Sequence, residues 1–148
     1  MQIASSPVYL DTSALAKLYV AESGSATLEA ALVGRRDLIV SELAVTELSS
    51  TIARRAREGD LSAAHAQRLY QRILQDCAGG EFRRAELTAG VHRDAERLLL
   101  GLGRRVALRA ADALHLALAA AHTAQVLITF DTRMRAAAEA MGTFEVPV

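Results

Sequence analysis

At 148 residues the chain is long enough for one packed domain and too short for two of ordinary size. Its 51% hydrophobic content excludes wholesale disorder, and 17 basic against 17 acidic side chains exclude a binder that works through bulk positive charge. Cys77 is the only cysteine, which allows no intrachain disulfide and points away from an oxidising compartment.

In chain order, short β-rich runs alternate with longer helical ones. Residues 8–10 read as a strand ending at Asp11, and a helix opens at Ser13 with Leu15, Leu18 and Tyr19 at helical spacing. A short helix follows over 25–33 and closes at Gly34. Residues 38–40 form the next strand, after which Ser41 caps a long helix that runs to Arg57 and stops at Gly59. Ser62 caps another helix, carrying Leu69, Ile73 and Leu74 and ending by Gly79. The run 81–87 reads as a strand interrupted by two arginines, 91–102 as a helix, and 109–122 as an alanine-leucine helix. A strand over 126–130, a helix over 132–141 and a last strand over 143–146 complete the chain. This alternation predicts an α/β sandwich with a mainly parallel central sheet, as one domain over 1–148.

Eighteen residues without a formal charge separate Asp112 from Asp131, which raises the membrane question. Alanine is its commonest residue and it contains His115, His122, Thr123 and Gln125, so a buried helix followed by a buried strand explains it better. The opening residues lack the basic region and apolar run of a secretory signal, and the chain reads as cytoplasmic.

Four carboxylates stand out. Asp11 and Asp131 each follow an apolar strand and precede a helix, where open α/β sheets bind ligands. Each can also serve as an ordinary helix N-cap. Glu47 and Asp112 lie near helix starts among apolar neighbours, where an ionised side chain needs a partner. Arg109 is the local partner for Asp112, and Arg54, Arg55 or Arg57 for Glu47. Converged on one pocket, the four acids would repel each other unless a cation joined them. Oxygen ligands without cysteine select Mg²⁺ or Mn²⁺ over Zn²⁺, and such a site suits phosphodiester hydrolysis.

The segment 8–15, with Asp11 and then Ser13, resembles the opening motif of PIN-domain nucleases. The segment 41–48 is similar to their second motif through Glu47, 112–117 to the third through Asp112, and 129–131 to the fourth through Asp131. The motifs follow in order over nearly the whole chain. Among PIN proteins, the short single-domain form looks most like the VapC-type toxins of toxin–antitoxin pairs. The resemblance implies a PIN-like α/β/α sandwich and a Mg²⁺- or Mn²⁺-dependent endoribonuclease acting on RNA, often a homodimer, neutralised by a cognate antitoxin. It gives Asp11, Glu47, Asp112 and Asp131 the metal-binding and catalytic roles. Ser13 and Thr129 inherit supporting ones. Glu42, five residues before Glu47, is turned roughly 140° away on a helix and is expected outside the pocket.

Of the arginine pairs, Arg133 and Arg135 follow Asp131 directly and are the best placed to hold RNA phosphates. His115, three residues after Asp112, reads as a core or supporting histidine, since no other histidine has partner spacing for zinc. Cys77 has no neighbouring histidine to activate it, and Gly101-Leu102-Gly103 lacks the rest of a dinucleotide fingerprint. A phosphotransferase with Asp11 as nucleophile lacks its lysine after a later strand, because the only lysine, Lys17, lies in the first helix. Two alternatives stay open: a non-catalytic module that docks a basic segment, and a PIN nuclease of RNA maturation without an antitoxin.

Overall fold

The computed structural model describes Ile3 and residues 5–147, so both ends of the expected domain lie outside the described residues. Four strands form one sheet: β1 (Val8–Leu10), β2 (Leu38–Ser41), β3 (Arg83–Ala85) and β4 (Val126–Ile128). Their order is β3-β2-β1-β4 and every pairing is parallel. Parallel neighbours need crossovers, and helices supply them. These are α1 (Thr12–Tyr19), α2 (Ser25–Leu32), α3 (Glu42–Glu58), α4 (Ala63–Ala78), α5 (Ala89–Gly101) and α6 (Ala110–Ala121), and α7 (Thr132–Met141) follows β4.

Strand side chains alternate between two cores. Val8, Leu10, Val40, Val126 and Ile128 face a layer made with α1 to α4, whereas Tyr9, Ile39 and Leu127 face one made with α5 to α7. The result is the expected α/β/α sandwich with a parallel sheet. The uncharged stretch after Asp112 resolves into α6 and β4, largely buried. Among the described residues no helix is long and apolar enough to cross a membrane.

Three expected strands come out shorter. β4 stops at Ile128 because β1 has turned into α1 beyond Leu10, leaving Thr129 and Phe130 no strand to pair with; the Phe130 N–H donates instead to Ser13 Oγ at 2.7 Å. β3 is confined to Arg83–Ala85. The strand expected over 143–146 is a single parallel bridge between Glu145 and Val126, in which Leu127 N–H donates to the Glu145 carbonyl at 2.9 Å. Pro147, two residues on, has no N–H with which to extend a ladder.

Candidate active site

The carboxyl ends of β1, β2 and β4 open into a cleft of about 660 Å³, lined by Asp11, Glu47, Asp112 and Asp131 together with His115 and Lys17. Local chain geometry positions the two strand-end acids. Asp11 caps α1, accepting the Ala14 N–H at 2.9 Å. Its other donors are the Ser13 hydroxyl at 2.7 Å and the Thr129 hydroxyl at 2.6 Å. The carboxylate is only 3% exposed. Burial pushes its pKa up, and the three hydrogen bonds oppose that rise. Asp131 caps α7 through the N–H groups of Arg133 at 2.8 Å and Met134 at 3.1 Å. Ser13 and Thr129 tie the two strand ends together, since Thr129 Oγ1 also accepts the Asp131 N–H at 3.1 Å.

Long-range partners hold the two helix-borne acids. Glu47 accepts from the Thr12 hydroxyl and lies 2.8 Å from His115 Nε2. The His115 bond holds its carboxyl below the usual glutamate value. None of the expected arginines reaches it; Arg55 pairs instead with Glu22 and Asp60. Asp112 accepts the backbone N–H of Arg109 at 2.9 Å, but its charge partner is Arg133, with Nε at 3.1 Å. The approach is an ion pair without hydrogen-bond alignment, and the buried Nε is left unpartnered. Arg133 Nη2 also lies 3.7 Å from Asp131, and Arg135 donates to the Thr129 carbonyl at 3.3 Å.

Other residues fall into place around the cleft. Glu42 pairs with Arg84 and does not line it. Cys77 is buried and free, with its thiol pKa raised by burial, which is wrong for a nucleophile. Thr12 was absent from the sequence expectations, although its place directly after Asp11 aims a hydroxyl at the same opening. His115 contacts Glu47 directly and is 3% exposed.

The donor chemistry fits a hard divalent cation, with carboxylate and hydroxyl oxygens and no cysteine thiolate in the lining. Among the described residues, however, no three acid, histidine or cysteine side chains converge closely enough to form a ready cage. The Arg133 guanidinium supplies positive charge beside Asp112 instead.

The chain matches the PIN domain family over residues 8–140. It is 36% identical over 140 residues to the ribonuclease VapC45 of Mycobacterium tuberculosis, covering 91% of each protein. Its fold superposes on M. tuberculosis VapC20, a sarcin–ricin-loop-cleaving toxin, with a TM-score of 0.68 at 20% identity, over 88% of this chain and 94% of that one. FitAcB of Neisseria gonorrhoeae gives a TM-score of 0.65 at 21% identity, over 94% and 95%. With these acids in one cleft at the ends of a parallel sheet, the chain belongs to the PIN domain family.

Proposed function

We propose that this protein is a metal-dependent endoribonuclease and the toxin of a toxin–antitoxin pair. It acts in the cytoplasm as a single-domain chain that forms a homodimer, and a cognate antitoxin neutralises it. The observation that carries the reading is the gathering of Asp11, Glu47, Asp112 and Asp131, from four separated segments, along one cleft. Family membership and the ribonuclease relative support it.

Asp11, Asp112 and Asp131 would hold Mg²⁺ or Mn²⁺, with Glu47 completing the set. When bound, the cation supplies Lewis acidity for phosphodiester hydrolysis. Ser13 and Thr129 fix both oxygens of Asp11, so this ligand has little freedom to turn. Glu47, kept ionised by His115, is the group able to accept a proton from the attacking water. Arg133 and Arg135 are the phosphate contacts, and to reach a backbone they leave Asp112 and the Thr129 carbonyl.

Purified protein with Mg²⁺ or Mn²⁺ is expected to fragment RNA internally, and a folded Asp112→Asn variant to lose that activity. Full cleavage by that variant would overturn the reading. The Arg133–Asp112 pair favours one rival, a docking pocket for a partner's basic segment. Isothermal titration separates the two, because a nuclease site binds Mn²⁺ saturably and loses it in Asp11→Asn.

A further inference from the structure

Tyr9 sits in the middle of β1 with no exposed surface, and its ring faces the layer of α5 to α7. Its hydroxyl lies 2.8 Å from Ser41 Oγ and 2.7 Å from His115 Nδ1. The Tyr9 and His115 rings meet edge to face, with centroids 5.8 Å apart. His115 rises from an alanine-leucine helix, and its other nitrogen reaches Glu47. An apolar pair would fill this space without burying a phenol and an imidazole, whose polar atoms are costly to bury unless bonded. Here every polar atom is bonded, and the chain of bonds leads out of the core to one cleft carboxylate.

The Glu47 carboxylate, held ionised, can only accept, so its 2.8 Å contact with His115 Nε2 requires a proton on that nitrogen. The phenol has one proton. If it goes to His115 Nδ1, the neutral ring carries its own proton on Nε2, and Ser41 donates to Tyr9. If it goes to Ser41, His115 Nδ1 must donate to the phenol oxygen, and a proton on Nε2 then makes the ring an imidazolium. Ser41 Oγ can take either role while accepting the Ala44 N–H at 3.0 Å. In both arrangements the Nε2–H donates to Glu47. The Thr12 hydroxyl reaches the same carboxylate oxygen from α1.

We propose that His115 is a positioning residue for the ribonuclease reaction: its Nε2–H holds the Glu47 carboxylate aimed into the cleft, and Tyr9 fixes the ring that carries this donor. The inference rests on the function proposed above and adds to it a support that runs from the sheet core to the cleft.

The test uses two amides that each mimic one ring nitrogen. Asparagine at 115 reaches only the Nδ1 position beside Tyr9, whereas glutamine, one carbon longer, places an N–H near Nε2. Mn²⁺ affinity by isothermal titration, kcat and KM on RNA, and thermal melting are compared for wild type, His115→Asn, His115→Gln and Tyr9→Phe. His115→Asn is expected to bind Mn²⁺ and turn over RNA about 10- to 100-fold less well, the usual cost of losing a partner of a metal ligand. KM for RNA should hold, and His115→Gln should recover most of the loss. Equal behaviour of the two amides, whether both impaired or both like wild type, overturns the proposal. Where they fail to fold, Tyr9→Phe decides: weaker Mn²⁺ binding with lower kcat supports it, and wild-type values overturn it. A wild-type protein that binds Mn²⁺ yet cleaves no RNA sinks the ribonuclease reading alone, and the Mn²⁺ affinities of the variants still judge His115.

Discussion

The two sides of the cleft hold their acids by different means. On the strand side, Asp11 and Asp131 are helix N-caps fixed by backbone N–H groups two or three residues away. On the helix side, Glu47 and Asp112 are held by the side chains of His115 and Arg133, brought from distant parts of the chain. Capping is a local device that sets geometry without a countercharge. Side-chain donors act on charge as well: the His115 hydrogen bond holds Glu47 below its ordinary pKa, while burial pushes Asp11, capped though it is, above its own.

The sharpest way to break this comparison is Asp11→Asn. Asparagine caps as well as aspartate, so the fold should stand. RNA cleavage should fall by more than about 100-fold, beyond the loss expected for a mere partner of a ligand. A folded variant with cleavage near wild type would mean that Asp11 is a cap and nothing more.

The same variant sharpens the electrostatic half in a pH series of metal-free protein. A buried acid whose folded pKa is raised keeps its proton in the folded state after losing it in the unfolded one. Stability is therefore lost as pH rises from the ordinary aspartate value of 3.8 through the higher folded value. Asp11→Asn should gain on wild type across that window and keep the advantage at neutral pH, as read by denaturant unfolding. A stability difference that does not change with pH would contradict the buried ionised carboxylate. Glu47 has the opposite sign, contributing stability above the ordinary glutamate value and losing it as pH falls through its lower folded one.

Arg133→Gln probes the helix side. The pair with Asp112 is partly exposed, so metal-free stability should drop by about 1 kcal/mol. Mn²⁺ affinity should rise roughly fivefold once the competing charge is gone, an equivalent energy. Weaker Mn²⁺ binding in calorimetry would recast Arg133 as a support for the metal site. The smallest effect is expected from Ser62→Ala, which removes the cap of α4 well away from the cleft. About 1 kcal/mol of stability should go, and cleavage should be unchanged, since this cap has no second duty.

The same division governs what could be read from the sequence. Asp11, Ser41, Ser62 and Asp131 were legible as caps because capping acts within a few residues, and the strands were legible as apolar runs. The partners of Glu47 and Asp112 were not, because the sequence offered the nearest arginines while folding supplied His115, 68 positions from Glu47, and Arg133. One signal was there to use. A tyrosine inside an apolar strand and a histidine inside an alanine helix each demand a buried partner, and across 106 positions they found each other. The strand ends misled for a related reason: β4 and the 143–146 segment stop where their neighbours turn away, which no local pattern records.

The central place of β1, with its second neighbour supplied by the last strand, has a consequence in time. Asp11 receives one of its three donors from Thr129, 118 residues later. A ribosome adding about 5–20 residues per second needs roughly 6 to 24 seconds to cover that gap. Throughout that interval the growing chain carries an acid without its opposite wall, and Asp131 has not been made. A chain cut short between α3 and β4 would have Glu47 but no cleft, so whatever hydrolytic power the protein has waits until β4 and Asp131 have been made.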